Sequence, residues 1–453
     1  MPPLAALPLP VAMLAAFVGG VFAGALVNWA VYGFAWHWRA VSPWSPPDES
    51  APLRRAADRI PVWGWLGLRR EESLHGRGFW VRPLAVELLM GAAWAALYWW
   101  EINRQGLIAE QFAALADRPL AAGMIVAPAW ITLATFASHA LLIMLLAAAS
   151  LIDIDEKTIP DEITIPGTLL ALVLAAVLPM SLLPQAAIRM AAPPAGVEVA
   201  LPAAMDAGGG QLYVEPTTPV APNEWPQSLR GAPHGFGLVI GLACYATWCL
   251  ALTPRIWRGR RGMVFGLRVL LARVARELTR PPLVWIGLIG AAAIFAAWFY
   301  GGAAWVGLLT ALVGMIGGGA MVWSVRIAAS SALRVEALGF GDVTLMMMVG
   351  AFLGWQAGVI IFFLAPFAAL VVGLLQLVTG RGGEIFFGPF LSLAAVALML
   401  RWGSFWNADG PLPDVFSWPG MVVGVLALGV VLLWAILVVW RNVKELLFGT
   451  AKK

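Results

Sequence analysis

The chain keeps returning to apolar runs of about twenty residues, such as LVWIGLIGAAAIFAAWFY at 283–300 and MVVGVLALGVVLLWAILVVW at 421–440. A helix of that length spans a hydrocarbon layer of roughly 30 Å. Lipid offers no hydrogen-bond partners, so the backbone of each run must satisfy itself within one helix. The repetition therefore restricts the fold to an all-α polytopic transmembrane bundle. The composition agrees: 61% of residues are hydrophobic and 12% charged, with a mean hydropathy of +0.82. Soluble domains carry roughly 25% charged residues.

Apolar spans are expected near 9–36, 83–100, 124–152, 161–183, 235–253, 283–300, 303–325, 357–379, 386–401 and 418–440, with a short helix at 342–354. That gives roughly 9–11 membrane segments. Residues 4–36 lack a charged leading region and are too long for the core of a cleavable signal, so none is expected there. The loop 37–82 holds eight arginines against five acids, and 254–282 holds eight arginines against one Glu. Loops 101–123 and 184–234 carry more acids than bases. By the positive-inside rule, the N-terminus is expected outside and the C-terminus in the cytoplasm. The net charge of +4 thus reflects orientation, and nucleic acid is not an expected partner.

Two stretches read as insertions. Residues 185–233 are rich in Pro, Ala and Gly without periodicity and are expected to form a loosely ordered external loop. Residues 255–282 alternate Arg with apolar residues at helical spacing, the pattern of a helix lying on an anionic lipid surface; an ordinary basic loop fits as well. Cys244 and Cys249 lie within one apolar span and read as packing residues.

Ionisable groups at span ends carry the chemistry. The segment EALGFGDVTLMMMVGAFLGW, residues 336–355, places Asp342 behind Gly339 and Gly341 at the mouth of an apolar helix. LIDIDEKTIPDEITIPG, residues 151–167, places Asp153 and Asp155 at the end of another. The expected topology sets Asp153 and Asp342 at one membrane face. Two close carboxylates can share one proton, so that one activates water while the other polarises a carbonyl. The glycines would allow close approach and conformations closed to other residues. Each Asp alone is as readily a helix-end residue facing water. Intramembrane acids also mark ion or proton paths. An ion- or proton-coupled transporter is therefore the alternative, with the glycines at 317–319 as a potential helix break and His139 as the main mid-span ionisable residue. A processing-dead scaffold is a third reading.

These two segments resemble the signatures of the type IV prepilin leader peptidases, bacterial Gly-x-Gly-Asp membrane aspartyl peptidases. FFGPFLSLAA at 386–395, GALVNWAVYGF at 24–34, and RIPVWGWLGLRR followed by VRPLAVELLMG, with Arg82 and Glu87, resemble further elements of that family. The resemblance implies an aspartic endopeptidase with Asp153 and Asp342 as catalytic pair. Gly339 and Gly341 would shape the site, with Asp155 and Glu336 in support. It implies removal of a basic leader from prepilin or pseudopilin substrates at the cytoplasmic face of the inner membrane. Residues 1–100 would form the N-terminal part and 101–453 the peptidase membrane domain. Proteolysis of this kind requires no cofactor. Bifunctional members also methylate the new N-terminus with S-adenosylmethionine.

Two departures stand out. Many members carry two Cys-x-x-Cys pairs that bind zinc in the loop corresponding to 37–82. Here that loop has no cysteine, only His37 and His75, so zinc is not expected and the loop must pack through its tryptophans or move. Thr344 stands where the family commonly has Lys, which removes a charge but no catalytic group.

Overall fold

The computed structural model describes residues 7–34, 41–109, 129–191, 211–217, 225–230, 234–253, 272, 276, 280–281, 283–379, 386–407 and 410–448. Eleven helices among them carry the architecture: α1 (Leu9–Gly33), α2 (Val81–Tyr98), α3 (Ala129–Glu156), α4 (Asp161–Val177), α5 (Gly235–Ala251), α6 (Leu283–Tyr300), α7 (Gly302–Leu333), α8 (Phe340–Leu353), α9 (Trp355–Thr379), α10 (Phe387–Leu400) and α11 (Pro419–Phe448). Among the described residues seven helices are long and apolar enough to cross a membrane, and α5, α8 and α10 are shorter apolar helices. The expected all-α membrane bundle is what the structure shows, and the chain is an integral membrane protein.

Several boundaries differ from expectation. α3 runs on to Glu156, so Asp153 and Asp155 lie inside its last turns rather than beyond them. The span expected at 161–183 ends as a helix at Val177. α7 passes unbroken through Gly317, Gly318 and Gly319 to Leu333, so these glycines do not interrupt a helix. Residues 185–233 are not wholly irregular: β1 (Gln185–Ala191) and β2 (Gln211–Thr217) pair antiparallel, Gln185 opposite Thr217 and Ala191 opposite Gln211. The amphipathic segment expected at 255–282 lies almost entirely outside the described residues.

Two compact units emerge. The first comprises Met1–Ile163, Met180–Asn223 and Leu364–Leu428; the second comprises Thr164–Pro179, Glu224–Phe363 and Gly429–Lys453.

In the first unit α1 lies closely against α2, through small residues as membrane helices require in the absence of a hydrophobic drive. A β-carbon on Gly24 would come within 2.5 Å of the Glu87 Cα, and one on Gly20 within 2.5 Å of the Met90 carbonyl oxygen. α10 packs against α3. The indole of Trp402 donates to the Pro184 carbonyl at 2.7 Å and stacks on Trp406 at 5.1 Å.

In the second unit α7 and α8 form the tightest pair. A β-carbon on Gly314 would sit 2.1 Å from the Gly350 oxygen, and one on Gly318 would sit 2.5 Å from the Met346 oxygen. The glycines of α7 are thus a packing surface, and residues 342–353 of α8 are all buried. Gly354 ends α8 at φ +86°, a left-handed conformation that lets Trp355 start α9 at once. Tyr245 of α5 donates to the Ile286 carbonyl of α6 at 2.7 Å.

Candidate active site

Asp153 sits in the last turns of α3 and is buried, with 7% of its surface exposed. Lys157, at φ +60°, closes the helix by donating its backbone N–H to the Asp153 carbonyl at 2.9 Å. Against the carboxylate lies the first turn of α10. A β-carbon on Gly388 would fall 2.7 Å from Asp153 Oδ2 and 2.9 Å from Ile159 Cδ1, so any side chain there would displace the ends of both. The Gly388 carbonyl accepts from Ser392 Oγ at 3.0 Å, and the Lys157 ammonium lies over the Phe386 ring at 5.8 Å. Among the described residues none donates a hydrogen bond to the Asp153 carboxylate, which leaves both its oxygens for other work.

Asp155 does not join it. Residues two apart on a helix face away from each other, and Asp155 instead accepts from Arg82 Nη1 at 2.8 and 2.9 Å. That pair ties the start of α2 to the end of α3.

In the second unit Asp342 occupies the first turn of α8, also 7% exposed. Carboxylates are favoured at a helix start, where backbone N–H groups point outward and the helix dipole is positive. Gly339 precedes the helix at φ −66° and ψ 154°, and neither Gly339 nor Gly341 has a positive φ. The expectation of a conformation reserved for glycine is therefore corrected. A β-carbon on Gly339 would lie 3.7 Å from Asp342 Oδ2, an ordinary contact, so its absence uncovers the carboxylate rather than relieving strain. Thr344 is buried and donates to the Gly341 carbonyl at 3.0 Å, a bond to its own helical turn.

Sequence reasoning passed over Arg326. This residue of α7 donates from Nε to the Leu338 carbonyl at 2.8 Å, pairs with Glu336, and lies over the Phe340 ring at 5.8 Å. It clasps the turn that delivers Asp342. Glu336 has a side chain 69% exposed and serves that clasp at the protein surface. Gly388 was likewise unassigned; the quoted FFGPFLSLAA segment was the signal for it, but the partner it makes room for is visible only in three dimensions.

The segment between α1 and α2 forms a third cluster. The Glu87 carboxylate, buried in α2, accepts from Trp65 Nε1 at 2.8 Å, Asn28 Nδ2 at 3.2 Å and the Val62 N–H at 2.5 Å. Val62 is held at φ +67°, a region β-branched residues avoid. A cleft opens beside these groups, lined in part by Asn28, Trp44, Asp58, Arg59, Trp65 and Glu87. It contains neither Asp153 nor Asp342.

Residues 140–201 and 274–374 match the type IV leader peptidase family. Asp153 and Asp342 each fall inside a matched segment; Gly388 and the cluster around Glu87 fall outside. A prepilin leader peptidase/N-methyltransferase of Stutzerimonas stutzeri is 32% identical over 126 residues, 27% of this chain and 40% of that protein. The protein of the same description from Aeromonas hydrophila is 34% identical over 125 residues, 27% of this chain and 40% of its own length. Its counterpart in Pseudomonas aeruginosa is 32% identical over 126 residues, again 27% and 40%. The matched region thus spans 40% of the length of these three relatives. No solved structure matches the chain.

Proposed function

We propose that this chain, two segments of which match the type IV leader peptidase family, is a membrane-embedded aspartic endopeptidase acting on prepilin-like proteins. Asp153 and Asp342 are its catalytic residues. In this reading the ionised carboxylate of the pair takes a proton from water as the water oxygen attacks the scissile carbonyl. The protonated partner donates a hydrogen bond to that carbonyl oxygen. Collapse of the tetrahedral intermediate breaks the C–N bond, and the departing amine takes a proton from a carboxyl. A leader acid and a new N-terminal amine result.

The observation that carries the reading is the position of the two aspartates. Both lie in the family-matched segments, and each is buried at the end of an apolar helix. The arginine-rich loop 37–82 ends at Arg82, which pairs with Asp155 in the last turns of α3, and this supports the cytoplasmic face of the inner membrane as the place of cleavage. The substrate is a basic leader followed by an apolar helix that reaches the site through the lipid. S-adenosylmethionine enters only if the chain also transfers methyl groups, as the names of its relatives state for those proteins.

Co-expression with a prepilin-like protein, followed by intact mass measurement of the pilin, tests this directly. Loss of the leader mass is the expected result, and an added 14 Da would report methylation as well. Unprocessed pilin beside well-folded enzyme would overturn the proposal.

One observation favours transport as a second reading: the buried pair of Glu101 and His139, with Oε1 and Nδ1 2.6 Å apart. Yet α3 has no ionisable residue between His139 and Asp153, about 21 Å along the helix. A proton relay would need a group within that gap. Uptake into proteoliposomes that fails in His139→Phe would support transport; none in the parent protein would dismiss it.

A further inference from the structure

The segment between α1 and α2 is where family likeness implies a metal, and its residues do not fit one. Residues 41–80 contain no cysteine. Nowhere among the described residues do three His, Cys, Asp or Glu side chains come together as a metal site would need. The two buried carboxylates within 41–80, Glu71 and Asp58, are engaged by guanidinium groups instead. Both oxygens of the fully buried Glu71 are taken by Arg54, from Nε at 3.0 Å and Nη2 at 2.8 Å. The remaining Nη1 of Arg54 donates to the carbonyls of Ser42 at 2.7 Å and Ser45 at 3.0 Å. His75 Nε2 lies 3.3 Å from the same Glu71 carboxylate. Asp58 is held by Arg70, and its Oδ2 also accepts from the Arg55 N–H at 2.6 Å.

We propose that a buried arginine–carboxylate clasp, Arg54 on Glu71, folds this segment in place of a metal, and that Glu87 docks the folded segment onto α1 and α2. The geometry is specific to arginine. One planar fork reaches a carboxylate with two parallel bonds while its outer nitrogen gathers two backbone carbonyls 9 and 12 residues away. Lysine carries the same charge at a single point and cannot make these four bonds. A divalent cation could reach Glu71 only by expelling Arg54, which would strand a buried guanidinium. The clasp closes 42–45 onto 71, and Glu87 holds the middle of the segment at Val62 and Trp65.

The test is limited proteolysis of the intact, purified protein in detergent, with metal content measured on the same sample. Cleavage within 41–80 should be unchanged by a strong chelator, and no metal should be present in stoichiometric amount. In R54K and, separately, E71Q, cleavage within 41–80 should be at least about tenfold faster, because removing one partner strands the other. Fragments from the apolar helices should remain protected. A stoichiometric metal whose removal exposes 41–80 would overturn the proposal, as would parent-like protection in both variants. The readout is independent of peptidase activity, so its failure leaves the functional reading standing.

Discussion

Gly388 of α10 and Asp153 of α3 approach so closely that a β-carbon on the glycine would lie 2.7 Å from the carboxylate Oδ2. Real carbon–oxygen contacts do not close that far, so Gly388→Ala must push the Asp153 side chain from its place. Processing should fall at least about tenfold in G388A, since a misplacement near 1 Å costs up to ~100-fold. Gly339→Ala is the contrast: its methyl would meet Asp342 Oδ2 at 3.7 Å at an ordinary φ of −66°. Rates of prepilin cleavage for the two variants, with thermal unfolding recorded alongside, should rank G388A well below G339A.

Arg326 offers a second test. Its removal frees the Leu338 carbonyl and the turn leading to Asp342. R326A should slow processing and speed amide exchange at 336–342 while the rest of α7 and α8 stays protected. Glu336→Gln should do little, because an exposed ion pair contributes about 1 kcal/mol or less. Equal losses in both variants would show that the clasp works through its ion pair rather than through the backbone contact.

The glycine seam between α7 and α8 makes a stability prediction. Gly314→Ala introduces a carbon 2.1 Å from the Gly350 oxygen, which the two backbones can relieve only by separating. A loss of about 1–3 kcal/mol follows from overpacking of this kind. Gly287→Ala and Gly429→Ala place a methyl in open space and should not lower stability. Thermal melts in detergent distinguish the sites.

Acid sensitivity should appear first between α1 and α2. The hydrogen bond from Arg70 holds the Asp58 carboxyl below its ordinary range, with the Arg55 N–H adding to the effect. The indole of Trp80 does the same for Glu72. A carboxyl lowered in the folded state stabilises at every pH above its unfolded value, near 4, and loses that contribution as pH falls through the folded value. Amide protection within 41–80, corrected for the intrinsic pH dependence of exchange, should therefore be flat from pH 7 to 5 and fall below about pH 4. Asp58→Asn should remove part of that dependence; a fall beginning near pH 6 would point to histidine instead.

Much of this was legible in the sequence. Spans as long and apolar as 283–300 have few folded alternatives in lipid, and their helices lie close to where hydropathy put them. Asp153 and Asp342 stood out as a pair, because two carboxylates expected at one membrane face suit acid–base chemistry, whereas either alone reads as readily as a helix-end residue facing water. What escaped depended on distance in three dimensions. Gly388 matters for a residue 235 positions earlier. Gly317, Gly318 and Gly319 looked like a break because glycine weakens isolated helices, yet in α7 the missing side chains of Gly318 and Gly319 admit α8, and that of Gly317 leaves room for Trp355. The β1–β2 ribbon lay hidden in a Pro- and Ala-rich stretch with no alternation to mark it. Glu87 and Arg54 are ordinary letters in a basic loop until the chain folds around them.

Processing of a prepilin by Asp153→Asn and Asp342→Asn, each purified and shown to melt like the parent, tests the central claim most directly. Each single variant should cleave at least about 10²-fold more slowly than the parent, the scale of a lost acid–base group, while Asp155→Asn and Glu336→Gln stay within a few fold. Parent-like cleavage by either D153N or D342N would contradict the account.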